Sequence, residues 1–136
     1  MTLWLLDASV LLAREDIDDV SHGPARRLLD GPDPLATVDL AFYEVGNVAI
    51  RAWQDPVAGA RLIERITAIA GDGGLVRADG ELLSSAAEVA ARHGITVYDA
   101  TYVVAAERIG AELVSCDVRE LVSRQLACLP LDAVHR

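Results

Sequence analysis

Leu3-Trp4-Leu5-Leu6-Asp7-Ala8-Ser9 runs four apolar residues straight into an acid, with a small hydroxyl residue two places on. An apolar run this short reads as a strand buried on both faces. Its end delivers Asp7 to the carboxyl edge of a parallel sheet, where open α/β folds bind their ligands. Two later segments repeat the arrangement: Ile95-Thr96-Val97-Tyr98 before Asp99, and Leu113-Val114-Ser115-Cys116 before Asp117. Parallel strands share a direction, so all three carboxylates are expected at one edge.

The rest of the chain supplies alternating elements. Ala8 to Arg14 reads as a short helix, ended by the acidic turn Glu15-Asp16-Ile17-Asp18-Asp19. That turn is no calcium loop, because Val20 and Arg27 stand where oxygen ligands are needed. Gly23-Pro24 opens a helix to Leu29, and Leu35-Ala36-Thr37-Val38 reads as a second strand. Asp39 can cap a helix to about Gln54. Pro56 opens another over 57–70, closed by Gly71-Asp72-Gly73-Gly74, glycines that lack the strand-before, helix-after setting of a phosphate loop. Leu75-Val76-Arg77 reads as a short edge strand, and Asp79 caps a helix ending at Arg92-His93 with Gly94 past its end. Then come a helix over 100–109 with Gly110 after it, a strand over 112–115, a helix from Asp117 to Gln125, and a final strand over 128–131. Strands alternating with helices give a central, mainly parallel sheet covered on both faces, a three-layer α/β/α sandwich. At 136 residues the expectation is a single domain over 1–136.

The net charge is −9, from 21 acids against 12 bases, and every base is arginine. Such acidity excludes nucleic-acid binding by a broad basic face. It remains compatible with nucleic acid where acids cluster around divalent cations, since the ion then dominates the local field; it also suits a basic protein partner. Cys116 and Cys128 are too few, and too far from any His pattern, for a zinc site, and read as reduced core thiols. No apolar run approaches the ~18 residues that span a bilayer, and the opening segment lacks a basic n-region and cleavage site. A cytoplasmic protein with no membrane association is expected.

An acid between a strand and a helix is also what an N-cap looks like, and Asp117 with Glu120 completes a capping-box pattern. Only the convergence of three such acids is informative. A fourth, Glu44, lies in Asp39-Leu40-Ala41-Phe42-Tyr43-Glu44-Val45-Gly46-Asn47-Val48. At ~100° per residue, Phe42, Val45, Ala49 and Trp53 form an apolar stripe, while Glu44, Asn47 and Arg51 line the other side. That polar stripe either faces solvent or faces the acidic edge. Carboxylates brought together raise one another's pKa, and divalent cations resolve the conflict. A set of oxygen ligands without His or Cys suits Mg²⁺ or Mn²⁺ rather than zinc. Such ions polarise a phosphodiester and lower the pKa of an attacking water. Ser9 and Ser115 are placed to bind the phosphate or to fix a carboxylate.

Asp7-Ala8-Ser9, Glu44-Val45-Gly46-Asn47, Tyr98-Asp99-Ala100 with Tyr102, and Ser115-Cys116-Asp117 together resemble the ordered motifs of PIN-domain nucleases. In size and motif detail the chain is similar to the VapC toxins of bacterial toxin–antitoxin pairs, over essentially its whole length. The resemblance implies a Mg²⁺- or Mn²⁺-dependent endoribonuclease that cuts single-stranded or loop RNA, leaving 5′-phosphate and 3′-hydroxyl ends. By it, Asp7, Glu44, Asp99 and Asp117 are the catalytic metal ligands, with Ser9, Asn47 and Ser115 in support. It further implies a homodimer held inactive by a cognate antitoxin, whose tail lies in a groove between toxin helices. The chain departs from many relatives in carrying Ala8, where they have Thr. Arg14, Arg51, Arg92, Arg119 and Arg124 are candidates for holding RNA.

Other readings share parts of this pattern. A phosphotransfer receiver or an Asp-nucleophile phosphatase has a similar layout, but depends on a lysine that this chain lacks. A PIN nuclease of RNA maturation, without antitoxin, keeps the chemistry and changes the biology. A catalytically silent binding module would have no reason to tolerate the repulsion among the acids.

Overall fold

A computed structural model describes the whole chain, Met1–Arg136. Strand β1 (Trp4–Leu6) is buried at all three positions and lies between β2 (Leu35–Val38) and β4 (Glu112–Val114); β3 (Leu75–Val76) completes the sheet beyond β2, in the order β3-β2-β1-β4. All pairings are parallel, with Leu5 opposite Ala36 on one side and Leu113 on the other. Parallel neighbours require crossover connections, and here these are helices.

Helix α6 (Val97–Ile109) packs on β1, β2 and β4, with α5 (Gly80–His93) against its outer side. The opposite layer holds α1 (Ala8–Glu15), α2 (His22–Leu29), α3 (Leu40–Asn47) and α4 (Pro56–Gly71). A short α7 (Pro130–Val134) closes the chain against α2. The two layers sandwich the sheet, and 32 buried apolar residues form one continuous core from Trp4 to Ala133. Helix α6 shows how that core is made: its residues 100–106 are all buried, because it is clasped between the sheet and α5. A helix apolar all round is one covered all round.

Five sequence expectations change, one of them the Asp39 cap: its carboxylate accepts the Ala78 N–H at 3.0 Å and no N–H of α3. Ile95-Thr96-Val97-Tyr98 is not a strand. Gly94 ends α5 in the left-handed region at φ +66, and Thr96 already caps α6 by accepting the Asp99 N–H at 3.0 Å. Their β-branched composition suggested a strand, but Thr96, Val97 and Tyr98 are exposed, and β propensity measures fit to a half-buried pleated surface. The final strand over 128–131 reduces to one bridge, Val114 with Cys128, since Pro130 opens α7. The helix from Asp39 widens into a π-type turn at Val48–Ala52, and the helix from Asp117 amounts to one such turn at Val118–Val122.

Gly74 is dictated by sheet assembly. A Cβ there would sit 2.2 Å from the Leu35 carbonyl oxygen and 2.9 Å from Ile69 Cγ2. Only a residue without a side chain lets the chain leave α4 and join β3 to β2.

Candidate active site at the sheet edge

Asp7 follows β1 directly and opens α1. Its Oδ1 accepts the Ser9 hydroxyl at 2.5 Å and the Val10 N–H at 3.3 Å, while its own N–H bonds the Val114 carbonyl of β4. The carboxylate is therefore an N-cap, as the sequence allows, and it is also only 5% exposed. Burial pushes its pKa up to about 6, against the opposing hydrogen bonds from Ser115, Ser9 and Val10, and the charge of Asp99 adds to the rise.

The two serines stitch the neighbouring junctions together. Ser9 Oγ also accepts the Cys116 N–H at 2.9 Å and lies 3.4 Å from Ser115 Oγ. Ser115, fully buried, accepts the Asp117 N–H at 3.0 Å. So the start of α1 and the end of β4 are fixed to each other through hydroxyls, and both present an acid to the same edge. Asp117 in turn accepts the Glu120 N–H at 3.0 Å, the cap its spacing predicts.

Asp99 reaches this edge by a different route. It stands in the first turn of α6 rather than at a strand end. Burial raises its pKa first, then the charge of Asp117, with Glu120 contributing and the Thr96 hydrogen bond opposing. Glu44, on α3, is half-buried and accepts the Tyr102 hydroxyl at 2.6 Å. Its pKa is raised by burial and by the charge of Asp99, against the Tyr102 bond. The charge of Asp99 is thus felt at both Asp7 and Glu44, and that of Asp117 at Asp99. Of the stripe on α3, Val45 and Ala49 are buried and Phe42 and Trp53 pack on the core. Glu44 turns to the edge, while Asn47 and Arg51 are exposed.

Two residues matter more here than their sequence setting suggests. Tyr102 is 2% exposed and clamps Glu44 across the gap between α6 and α3. The signal was its place three residues after Asp99, on the same helical face. Thr96, three residues before Asp99, bears the signature of a cap.

No arginine or histidine forms an ion pair with Asp7, Glu44, Asp99 or Asp117. The acids face one another uncompensated, with oxygen donors only, a set that fits a hard divalent cation. They are not drawn into a closed shell: no three acid, histidine or cysteine side chains stand close enough for ready-made coordination. Arg119, with a side chain 93% exposed, and Arg124 turn to Glu120 instead.

The chain matches the PIN domain over residues 4–125. Ribonuclease VapC3 of Pyrobaculum aerophilum is 34% identical over 134 residues, which cover 90% of this chain and 91% of the relative. Among solved structures, Mycobacterium tuberculosis VapC20, a toxin that cleaves the sarcin–ricin loop, shares the fold at a TM-score of 0.67 and 21% identity, over 85% of this chain and 91% of its own. A chain of a toxin–antitoxin complex from Klebsiella pneumoniae shares it at 0.67 and 12% identity, over 93% and 96%. The parallel sheet, the ordered motifs and the match along nearly the whole sequence agree, and the chain belongs to the PIN-domain family.

Proposed function

We propose that this protein is a divalent-metal-dependent endoribonuclease, the toxin of a toxin–antitoxin pair. In this reading residues 1–136 form one catalytic domain, working in the cytoplasm as a homodimer on single-stranded or loop RNA of the tRNA or rRNA class. The observation that supports it is the electrostatic coupling of Asp99 to Asp7, Glu44 and Asp117, none of them paired with an arginine, an arrangement costly without a cation and useful with one. The ribonuclease name of a relative 34% identical and the toxin–antitoxin setting of a chain sharing the fold support the biological role.

Those four carboxylates would hold Mg²⁺ or Mn²⁺, whose chemistry there is to polarise the phosphodiester and acidify a bound water. The rest is the protein's own work. Ser9 and the Val10 N–H lock Asp7 in one orientation, and Tyr102 does the same for Glu44. Burial and the charge of Asp117 raise the Asp99 pKa in the metal-free protein, and a bound cation would offset that repulsion and hold Asp99 ionised as a ligand. The water would give up a proton to solvent as its oxygen joins phosphorus, and the O3′ released as the P–O3′ bond breaks would take one from solvent, leaving 5′-phosphate and 3′-hydroxyl ends.

Purified, antitoxin-free protein is to be tested on a panel of tRNAs and rRNA loops with Mg²⁺, Mn²⁺ or EDTA, beside Asp99→Asn. Cuts that need metal and vanish in the variant support the proposal. Cleavage surviving EDTA or the substitution refutes the assigned site, as does the absence of both cleavage and metal binding.

A further inference from the structure

At the far end of α1 from Asp7, a cavity of about 650 Å³ opens between α1, α2 and α4. Its walls carry Arg14, Arg26, Arg61 and Arg65 with His22, against only Glu15 and Glu64. One-third of the bases of a strongly acidic chain are gathered here.

The guanidiniums are short of acceptors. Glu15, its side chain only 8% exposed, lies beneath three of them: Arg61 Nε at 3.4 Å, Arg14 Nη1 at 3.8 Å and Arg65 Nε at 3.8 Å. Asp30, behind the cavity, serves Arg14 at 3.4 Å, Arg26 at 3.6 Å and Arg65 at 3.9 Å. All of these exceed the ~2.7–2.9 Å of a charge-assisted hydrogen bond. Two carboxylates are shared among four cations, and the Nε atoms of Arg14 and Arg65, buried from solvent, make no hydrogen bond. A buried donor left without a partner keeps its full desolvation penalty, and a charged one keeps more. The His22 ring adds a further donor or acceptor: Nδ1 gives its proton to the Ala13 carbonyl at 2.9 Å, which leaves Nε2 free.

The geometry points to a phosphate-binding site in this cavity, distinct from the acidic edge. A tetrahedral oxyanion offers several acceptors at once, and planar guanidiniums match it bidentately. The ligand is a phosphate group, carried either by an RNA backbone or by a free phosphate ester. Arg14 lies seven residues from Asp7 along α1, roughly 10 Å at 1.5 Å per residue. That is a span of only a few nucleotides, so a flanking RNA phosphate is within reach. The site itself stands whether or not the acidic edge cleaves RNA.

The test follows the arginine Nε–H and His22 ring resonances of metal-free protein by NMR, titrated with inorganic phosphate at constant ionic strength. Saturable shifts confined to Arg14, Arg26, Arg61, Arg65 and His22 are expected, with affinity weakened at least fivefold by Arg61→Gln. Arg61 has a half-exposed side chain, so this variant keeps its fold; Arg65→Gln gives a second reading. A single-stranded RNA oligonucleotide added to Asp99→Asn protein distinguishes the sources. Competition with phosphate at the same resonances identifies an RNA backbone, whereas phosphate binding without competition identifies a free ester. Unsaturable or scattered shifts overturn the proposal. So do wild-type affinity in both variants and equal binding of acetate, which would make the cavity a carboxylate site for a protein partner.

Discussion

Asp7→Asn should make the metal-free protein more stable at neutral pH while abolishing its proposed chemistry. The folded structure raises the Asp7 pKa from 3.8 to about 6, so ionising it in place costs roughly 3 kcal/mol at ~1.36 kcal/mol per unit. The sign follows from the direction of the shift. A carboxyl raised on folding leaves stability intact below pH 3.8 and erodes it as pH climbs through 6. Asparagine keeps an Oδ1 acceptor for the Ser9 hydroxyl and the Val10 N–H, the two bonds that fix the side chain. Allowing for the weaker bonds of a neutral acceptor, the gain at pH 8 is about 2 kcal/mol, or roughly 6–8 °C in Tm for a domain of this size. Thermal and urea unfolding of both proteins in EDTA, at pH 4 and pH 8, measures it. The advantage should shrink to nothing at pH 4, and added Mg²⁺ or Mn²⁺ should stabilise the wild type more than the variant. A variant less stable than wild type at pH 8, or a difference independent of pH, would refute the idea that an uncompensated buried charge resides at Asp7.

Tyr102→Phe removes the hydroxyl that clamps Glu44, and metal affinity by titration calorimetry should fall about 10–100-fold, as for lost outer-shell partners elsewhere, with the far-ultraviolet spectrum unchanged. Gly74→Ala should fail to fold or unfold far below the wild-type Tm, because its Cβ meets the Leu35 carbonyl at 2.2 Å; Gly73→Ala, also in the connection but with open space around it, should cost only the strain of its positive φ. Thr96→Ala should cost about 1 kcal/mol in urea unfolding through the lost cap, and Thr96→Ser should restore most of it. Ser9→Ala frees both Asp7 and the Cys116 N–H, so cleavage is expected to drop with little change in RNA binding; a purely binding defect would contradict its place beside Asp7.

The acidic edge and the arginine cavity divide the charge of the molecule. Acids are left without counter-charges where a cation is proposed, and arginines are left short of acceptors at the other end of α1. The −9 total conceals both. For a substrate that is itself a polyanion, the division separates the place where charge is neutralised during reaction from a place that attracts it.

Much was decided by the sequence alone. Leu3–Leu6 before Asp7, and Leu113–Cys116 before Asp117, are short apolar stretches leading to acids, so local chemistry sufficed to mark two strands there, although β4 stops at Val114, short of Asp117. The prolines and glycines that punctuate α2, α4, α5 and α6 set the alternation and hence the layers. Asp99 was placed at the right edge for the wrong local reason. The composition of 95–98 fits a strand, and only the packing of α6 under α5, with Thr96 free to cap, made it a helix start. Tertiary structure alone decided three further things: that Glu44 turns inward, because Tyr102 from another layer meets it; that Ser9 and Ser115 join two junctions 106 residues apart; and that four scattered arginines share one cavity. Such contacts depend on which side chains face each other across elements distant in the chain, and periodicity within one element carries no information about its neighbour.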